Sequence, residues 1–486
     1  MKNTLFAICL ILSFISPAFA QEPISVHELH KKEFGTPQLS KSTSDEDAAD
    51  IIPLQLNRTQ TSPAVFGYLP DWEYRTAKSY LQYELLTHIA CFDFAADTLG
   101  RIKNPNDWPW TDVINQAHSK GVKVVMCVTN FTGAQINKII SVAANKQNLF
   151  SNIKNTIRQY SLDGVNIDFE GLNKADRGSL INSFMAELTD TIHAAFPGKE
   201  VSFAGPIINW GGWDLSGLAK ACDYIFIMGY SFYGGFSKTS GPCAPLSGSS
   251  QTDNLASALT SQTYGYGAVI PAYANKLILG VPYYGNSWLV STSSPYSKAV
   301  DYIRSTYFRD DVLKAQTYGL KWDTKSNTPW YCYPQDTLWV QNWFDSDSST
   351  GLKYNLAASK NLKGIGMWAL GYDGSRQELW NLLRQRVISG LESKKNVAPE
   401  GFILSQNYPN PFNPSTVINF EIPEISKVTL SVYDLLGRKL AVLVNEEKPR
   451  GSYSVGFNAG SLPAGVYLYR LESAGISIAK KFILLK

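Results

Sequence analysis

A chain of 486 residues is too long for one small domain and leaves room for one large domain with additions. Its 44% hydrophobic and 17% charged residues fit a globular, well-packed protein. A formal net charge of +3 is small for this length and gives no basis for a nucleic-acid partner.

Residues 1–20 read as a signal peptide. Lys2 supplies the positive start, Leu5 to Ile15 form an apolar run, and Ala18-Phe19-Ala20 is a small-x-small cleavage site. The run is short for a membrane anchor, and no later stretch of 18 apolar residues follows, so no stable membrane span is expected. Export permits disulfides. Beyond Cys9 lie Cys91, Cys127, Cys222, Cys243 and Cys332, an odd number that leaves at least one thiol unpaired in a monomer. Cys91 and Cys127 sit in apolar runs and read as core thiols, whereas Cys243 and Cys332 lie in loop-like sequence where pairing is open. His27, His30, His88, His118 and His193 form no metal-spaced cluster, so no metal and no cofactor are expected.

Residues 21–62 are polar, centred on "SKSTSDEDAAD", and read as a linker. From 63 to 392, eight short apolar runs alternate with amphipathic helical segments. The runs are "VFGYLPDW", "HIACFDFA", "VKVVMCVT", "GVNIDFE", "VSFAGP", "YIFIMGY", "LILGVPYYG" and "GIGMWAL". "WTDVINQAHSKG", "DRGSLINSFMAELTDTIHAAF" and a closing "SRQELWNLLRQRVI" carry helical spacing. Eight strand–helix units predict an α/β fold, a (β/α)8 TIM barrel. An open doubly wound sheet is the alternative, but its phosphate-binding glycine fingerprint is missing near the first strand. Residues 286–345 exceed a normal crossover and predict a small α+β insertion after strand seven, with a helix over "YSKAVDYIRSTYF" and strands between Trp322 and Tyr333. A linker over 393–402 leads to a C-terminal β-sandwich over 403–486, where period-two alternation is broken by turn signals at Gly437, Gly451 and Gly465.

The chemistry concentrates in "DGVNIDFEG". Residues two apart on a strand share a face, so Asn166, Asp168 and Glu170 line one side and Val165, Ile167 and Phe169 the other. The apolar set packs under the helices while the polar set looks into the barrel. Glu170 comes last, at the end where such barrels keep their active sites. Two close carboxylates cannot both ionise cheaply, so one holds a proton near neutral pH. Glycoside cleavage needs such an acid for the leaving oxygen. Asp71 and Asp93 end other strands, and spacing alone does not decide whether either is a nucleophile. Trp72, Trp213, Trp288 and Trp330 are candidate sugar platforms, since aromatic faces suit the C–H faces of sugars.

"DGVNIDFE" resembles the D-x-x-D-x-D-x-E signature of glycoside hydrolase family 18, the chitinase-type barrels. "GYLPDW", "LTHIACFDF", "IFIMGY", "GPCAPL", "KLILGVPYYGNSW" and "NLKGIGMWALGYD" resemble further family segments in the right order. The resemblance implies retaining, substrate-assisted hydrolysis of chitin, in which the sugar's 2-acetamido oxygen is the nucleophile. It implies Glu170 as acid and then base, and Asp168 as orienter of the acetamido group. Tyr230 would bond the acetamido carbonyl, and Met228 would shape the pocket. Trp368 would form the floor, with Tyr68 and Phe92 lining its base. Asn166 replaces the motif's second Asp, which predicts an altered pH dependence, and Ser231 replaces an acid after the sixth strand. "CVTNF" resembles cell-wall-active relatives, keeping peptidoglycan or an N-acetylglucosaminidase-type substrate open. A non-catalytic chitin-binding lectin of the same fold is the alternative of a different class, and Glu170 speaks against it. "LSQNYPNPFNPSTVINFEIPE", "VYDLLGR" and "PAGVYLYRL" resemble the C-terminal sorting domain of the type IX secretion system. That implies export through a Gram-negative outer membrane, with the secretion machinery as a partner.

Overall fold

The computed structural model describes residues 25–35, 51–55, 63–385, 402–407, 410–449 and 451–485. The expected signal peptide and nearly all of the expected linker 393–402 lie outside the described residues. Each of the eight apolar runs forms a strand. In chain order these are Ala64–Pro70, His88–Ala96, Lys123–Asn130, Gly164–Phe169, Glu200–Pro206, Tyr224–Met228, Leu277–Pro282 and Gly364–Trp368. All pair in parallel. The first strand bonds both the eighth (Ala64 opposite Gly364) and the second (Phe66 opposite His88), so the sheet closes on itself. Buried on both faces, such strands read as nearly continuous apolar runs. The helices Thr111–Ser119, Ala143–Gln159 and Ser179–Ala195 turn their apolar sides to this cylinder. Residues 378–385 supply the described part of the closing helix.

The barrel interior is a packed core. Phe226 of the sixth strand meets Phe66 at 5.4 Å and Tyr68 at 4.8 Å between ring centroids. Its ring fits because two neighbours lack side chains: a Cβ on Gly280 or on Gly366 would lie 2.3 Å from it. At the N-terminal ends of the strands the charges are paired. Asp163 accepts from His118, from Lys199 and from the backbone N–H of Val124. Glu200 is held by His88 and Lys123.

Two expectations about local structure fail. Residues 26–34, within the stretch read as a linker, form a helix, and residues 51–55 run against the barrel, where the Gln55 N–H donates to the His118 carbonyl at 3.0 Å. The helix expected over "YSKAVDYIRSTYF" is instead a strand, Ala299–Tyr307, paired antiparallel with Tyr284–Val290. Its run of Val300, Tyr302, Ile303, Thr306 and Tyr307 is β-branched and aromatic, which favours a pleated partner. The helix starts only at Phe308 and ends at Tyr318. The insertion is thus a five-stranded antiparallel sheet with one helix.

The C-terminal unit is two antiparallel sheets of three and four strands around their own core, which includes Ile418, Phe420, Leu430, Tyr469 and Phe482. Gly437, at φ 78°, makes the turn between two strands of the larger sheet, while Gly451 and Gly465 begin strands. Cys91, Cys127, Cys222, Cys243 and Cys332 are all buried and unpaired, so Cys243 and Cys332 form no bridge. Among the described residues, no helix is long and apolar enough to cross a membrane.

Gly280→Ala should therefore overpack Phe226 and lower stability by about 1–3 kcal/mol, read as a drop in Tm by calorimetry. An unchanged Tm would mean that the barrel centre has room that the ring contacts deny.

Candidate active site

The fourth strand carries the site. Phe169 packs outward against Phe184 of helix Ser179–Ala195, 6.0 Å between rings, which turns Asn166 and Asp168 into the barrel. The strand ends at Phe169, and Gly171, at φ 73°, takes a left-handed turn that an L side chain resists, so the chain turns away just after Glu170. The Glu170 N–H donates to the Asn130 carbonyl at 3.1 Å, fixing the turn to the third strand.

Asp168 is fully buried, and its Oδ1 has no hydrogen-bond partner. Burial, and then the nearby charge of Asp93, push its carboxyl well above the usual range. Burial also raises Glu170, Asp168 adds to the rise, and His27 and Ser25 offset part of it, leaving a value of about 7. The pair therefore offers one proton near neutral pH, as general acid catalysis requires. Asp93 is tied differently: Lys31 Nζ donates to both of its oxygens at 2.8 and 2.7 Å, and Thr129 donates at 2.5 Å.

Aromatic groups surround the carboxylates. Trp368 ends the eighth strand with Phe92 at 4.8 Å, Tyr68 at 5.6 Å and Trp72 at 6.4 Å between ring centroids. Glu170, Met228, Tyr230, Trp210 and Trp213 line one open cleft, with Val26 at its side. Ser231 also lines it, at φ 64°, with its N–H against Cys243 Sγ. Asn166 lies one layer beneath. It accepts from the Tyr68 hydroxyl at 2.8 Å and donates to Ser202 at 2.9 Å, so both ends of its amide are committed below the pocket. Trp288 is not brought to the site. It is fully buried in a separate cluster with Trp330 and Trp343, where it serves as core of the inserted sheet. Wide flat side chains stabilise small sheets as readily as they stack sugars, so composition did not separate the two uses.

A group missed in the sequence fills the pocket. Helix Val26–Phe34 projects His27, His30, Lys31 and Phe34, spaced i, i+3, i+4 and i+7, from one face. His27 stacks on Trp368 with ring centroids 3.7 Å apart and a tilt of 27°. One ring nitrogen pairs with Asp168 Oδ2 at 2.7 Å and the other with the Tyr230 hydroxyl at 2.8 Å. Either tautomer serves: an Nδ1–H donates to ionised Asp168, or protonated Asp168 donates to Nδ1 while Nε2–H meets Tyr230. Burial lowers the His27 pKa to about 4, so the ring is neutral at physiological pH. Ser25 caps the helix by accepting from the Glu28 N–H at 3.0 Å, and its hydroxyl donates to Glu170 Oε1 at 2.6 Å. His27, Asp168 and Glu170 each present a ligand-type atom, all within 4.8 Å of one another, a cluster that sequence spacing had not disclosed. Both His27 nitrogens are already engaged in the contacts above.

The family description "Glycosyl hydrolases family 18" matches residues 64–373, and "Secretion system C-terminal sorting domain" matches residues 406–485. Human di-N-acetylchitobiase is 25% identical over 313 residues, covering 57% of this chain and 77% of the relative. The cortical fragment-lytic enzyme of Bacillus subtilis is 25% identical over 316 residues, covering 61% and 67%. The solved GH18 chitinase from Cycas revoluta in complex with (GlcNAc)3 shares the fold with a TM-score of 0.56 at 19% identity, covering 66% of this chain and 99% of that one.

Replacing Asp168 by Asn should lower the Glu170 midpoint from about 7, because a neighbouring negative charge is removed, while burial keeps it above the ordinary glutamate range. Carboxyl carbon NMR of Glu-labelled protein reads this directly. A midpoint that stays put would remove Asp168 as a cause.

Proposed function

The chain belongs to glycosyl hydrolases family 18 and is a chitinase-like glycosidase with a type IX sorting domain; from that premise we propose that it cleaves β-1,4-linked N-acetylglucosamine polymers, chitin first, with retention and with the substrate's acetamido oxygen as nucleophile. The observation that carries the reading is an acid of pKa about 7 at the strand end, beside a second buried carboxylate and above an indole floor. Within the barrel itself Thr129 donates to Asp93 and the Asn106 N–H donates to Asp71, so both other strand-end carboxylates named above are engaged, which fits a reaction without a protein nucleophile.

In this mechanism Glu170 gives its proton to the glycosidic oxygen as the C1–O bond breaks. The acetamido oxygen closes on C1, forming an oxazolinium ion. Asp168 orients the acetamido N–H and balances the positive charge, and the Tyr230 hydroxyl donates to the acetamido oxygen. Glu170, now ionised, takes a proton from the water that opens the ring. Trp368 supports the sugar face, Met228 and Trp72 bound the pocket, and Phe92 and Tyr68 form its base. Asn166 acts through Tyr68 rather than on the sugar.

Peptidoglycan is the second reading, favoured by the relative named as a cortical fragment-lytic enzyme. The "CVTNF" ending adds little to it, since Asn130 Oδ1 accepts from the Thr132 N–H and its amide donates to the Ala96 carbonyl, a turn-holding use. The sorting domain supports export to the cell surface or medium, and we place the chain beyond a Gram-negative outer membrane.

At saturating chitohexaose, Glu170→Gln should lower kcat by roughly 10²–10⁴-fold. For the wild type, kcat should fall on the alkaline side, because burial and Asp168 hold the Glu170 carboxyl above its ordinary range and the protonated acid is the active form. Product analysis on chitohexaose beside purified cell wall separates the two substrates. Full activity in the Gln variant would sink the assignment of the acid.

A further inference from the structure

The helix Val26–Phe34 is an occupant of the pocket described above, and its contacts are those a bound ligand would make. His27 covers the face of Trp368 and takes both Asp168 and Tyr230. Ser25 takes Glu170. His30 Nδ1 accepts from the Trp368 indole N–H at 2.9 Å, and Lys31 closes on Asp93. Outside the pocket, Phe34 packs on Tyr307 at 4.4 Å, and Glu33 accepts from the Ser305 N–H at 3.1 Å, which ties the helix end to the inserted sheet. His27 and His30 are both fully buried.

Two features mark this as an inhibitory contact and not a part of the barrel. A nine-residue helix is marginal alone and owes its order to what it packs against. And every polar group that the proposed reaction needs at the sugar is engaged by it: the acid, the acetamido orienter, the tyrosine and the floor. A sugar ring on Trp368 and the His27 ring cannot share one space.

We propose that helix Val26–Phe34 is an autoinhibitory plug that competes in cis with the sugar at the catalytic pocket, so that turnover requires the helix to withdraw. The inference rests on the pocket being the glycosidase site argued above. The plug leaves the reacting groups intact and acts only by exclusion. Its signature is therefore a raised apparent KM with an unchanged kcat: a pocket closed about 99% of the time raises apparent KM about 100-fold. Tethering favours closure, since a segment of the same chain faces its site at an effective concentration on the order of millimolar.

The test uses the full chain and a variant of it with His27→Ser, His30→Ser and Lys31→Ser, all outside the reacting set. With soluble chitooligosaccharides the variant should show KM lowered at least about tenfold and kcat unchanged. Equal KM in two active, equally folded proteins would overturn the plug. A second readout needs no turnover. Diethyl pyrocarbonate modification of the intact chain, mapped by mass spectrometry, should spare His27 relative to half-exposed His193. If His27 reacts as fast as His193, the helix is not seated and the proposal fails. If His27 is protected but neither protein binds or cleaves any N-acetylglucosamine oligomer, the hydrolase reading fails and the plug, which was inferred from it, falls as an inhibitory device.

Discussion

The site depends on burying two carboxylates together at one end of the barrel with no cation against either. Asp168 is raised by desolvation and by Asp93, Glu170 by desolvation and by Asp168, and their hydrogen-bond partners are neutral: an uncharged imidazole on Asp168 and a hydroxyl on Glu170. The opposite end of the same cylinder shows the contrary solution. Burial works to raise Glu200, yet His88 and Lys123 outweigh it and hold the group at about 2, and His118 and Lys199 likewise keep Asp163 low. Those lower pairs contribute stability above the ordinary carboxylate range and lose it as pH falls through their depressed values. One face thus uses charge to hold the fold, and the other keeps a proton available for transfer.

Alternation along a single strand makes this division possible. Val165, Ile167 and Phe169 anchor the strand to its helix, so Asn166 and Asp168 have nowhere to point but inward. Asn166 then fills the layer between Tyr68 and Ser202 and separates the aromatic core around Phe226 from the reactive mouth. An amide is well suited to that layer, because it donates and accepts at once without bringing a third charge beneath Asp168.

How much of this was legible differs by element. The eight barrel strands stand out because strands buried on both faces are apolar throughout, and the acid pair stands out because carboxylates are rare in such a run. The strand Ala299–Tyr307 was misread because charged Asp301 and Arg304 interrupt it at a spacing that also suits a helix face. Helix Val26–Phe34 carried its own signals, with Ser25 and Glu28 in a capping-box spacing and four residues on one stripe. Its short length and polar surroundings hid them, since its aromatic partners, Tyr68, Phe92 and Trp368, are scattered far along the chain. Trp288 and Trp368 show the limit for aromatics: both are fully buried, and only the three-dimensional neighbours tell a sheet core from a pocket floor.

The five buried thiols carry a separate implication. Each is buried, and none is linked to another. Among the described residues the fold therefore closes no disulfide, and reductants in the surroundings find no such bond to cut there. Endurance outside the cell then rests on tight side-chain packing and on the paired charges at the barrel base, with no covalent crosslink among the described residues to slow unravelling.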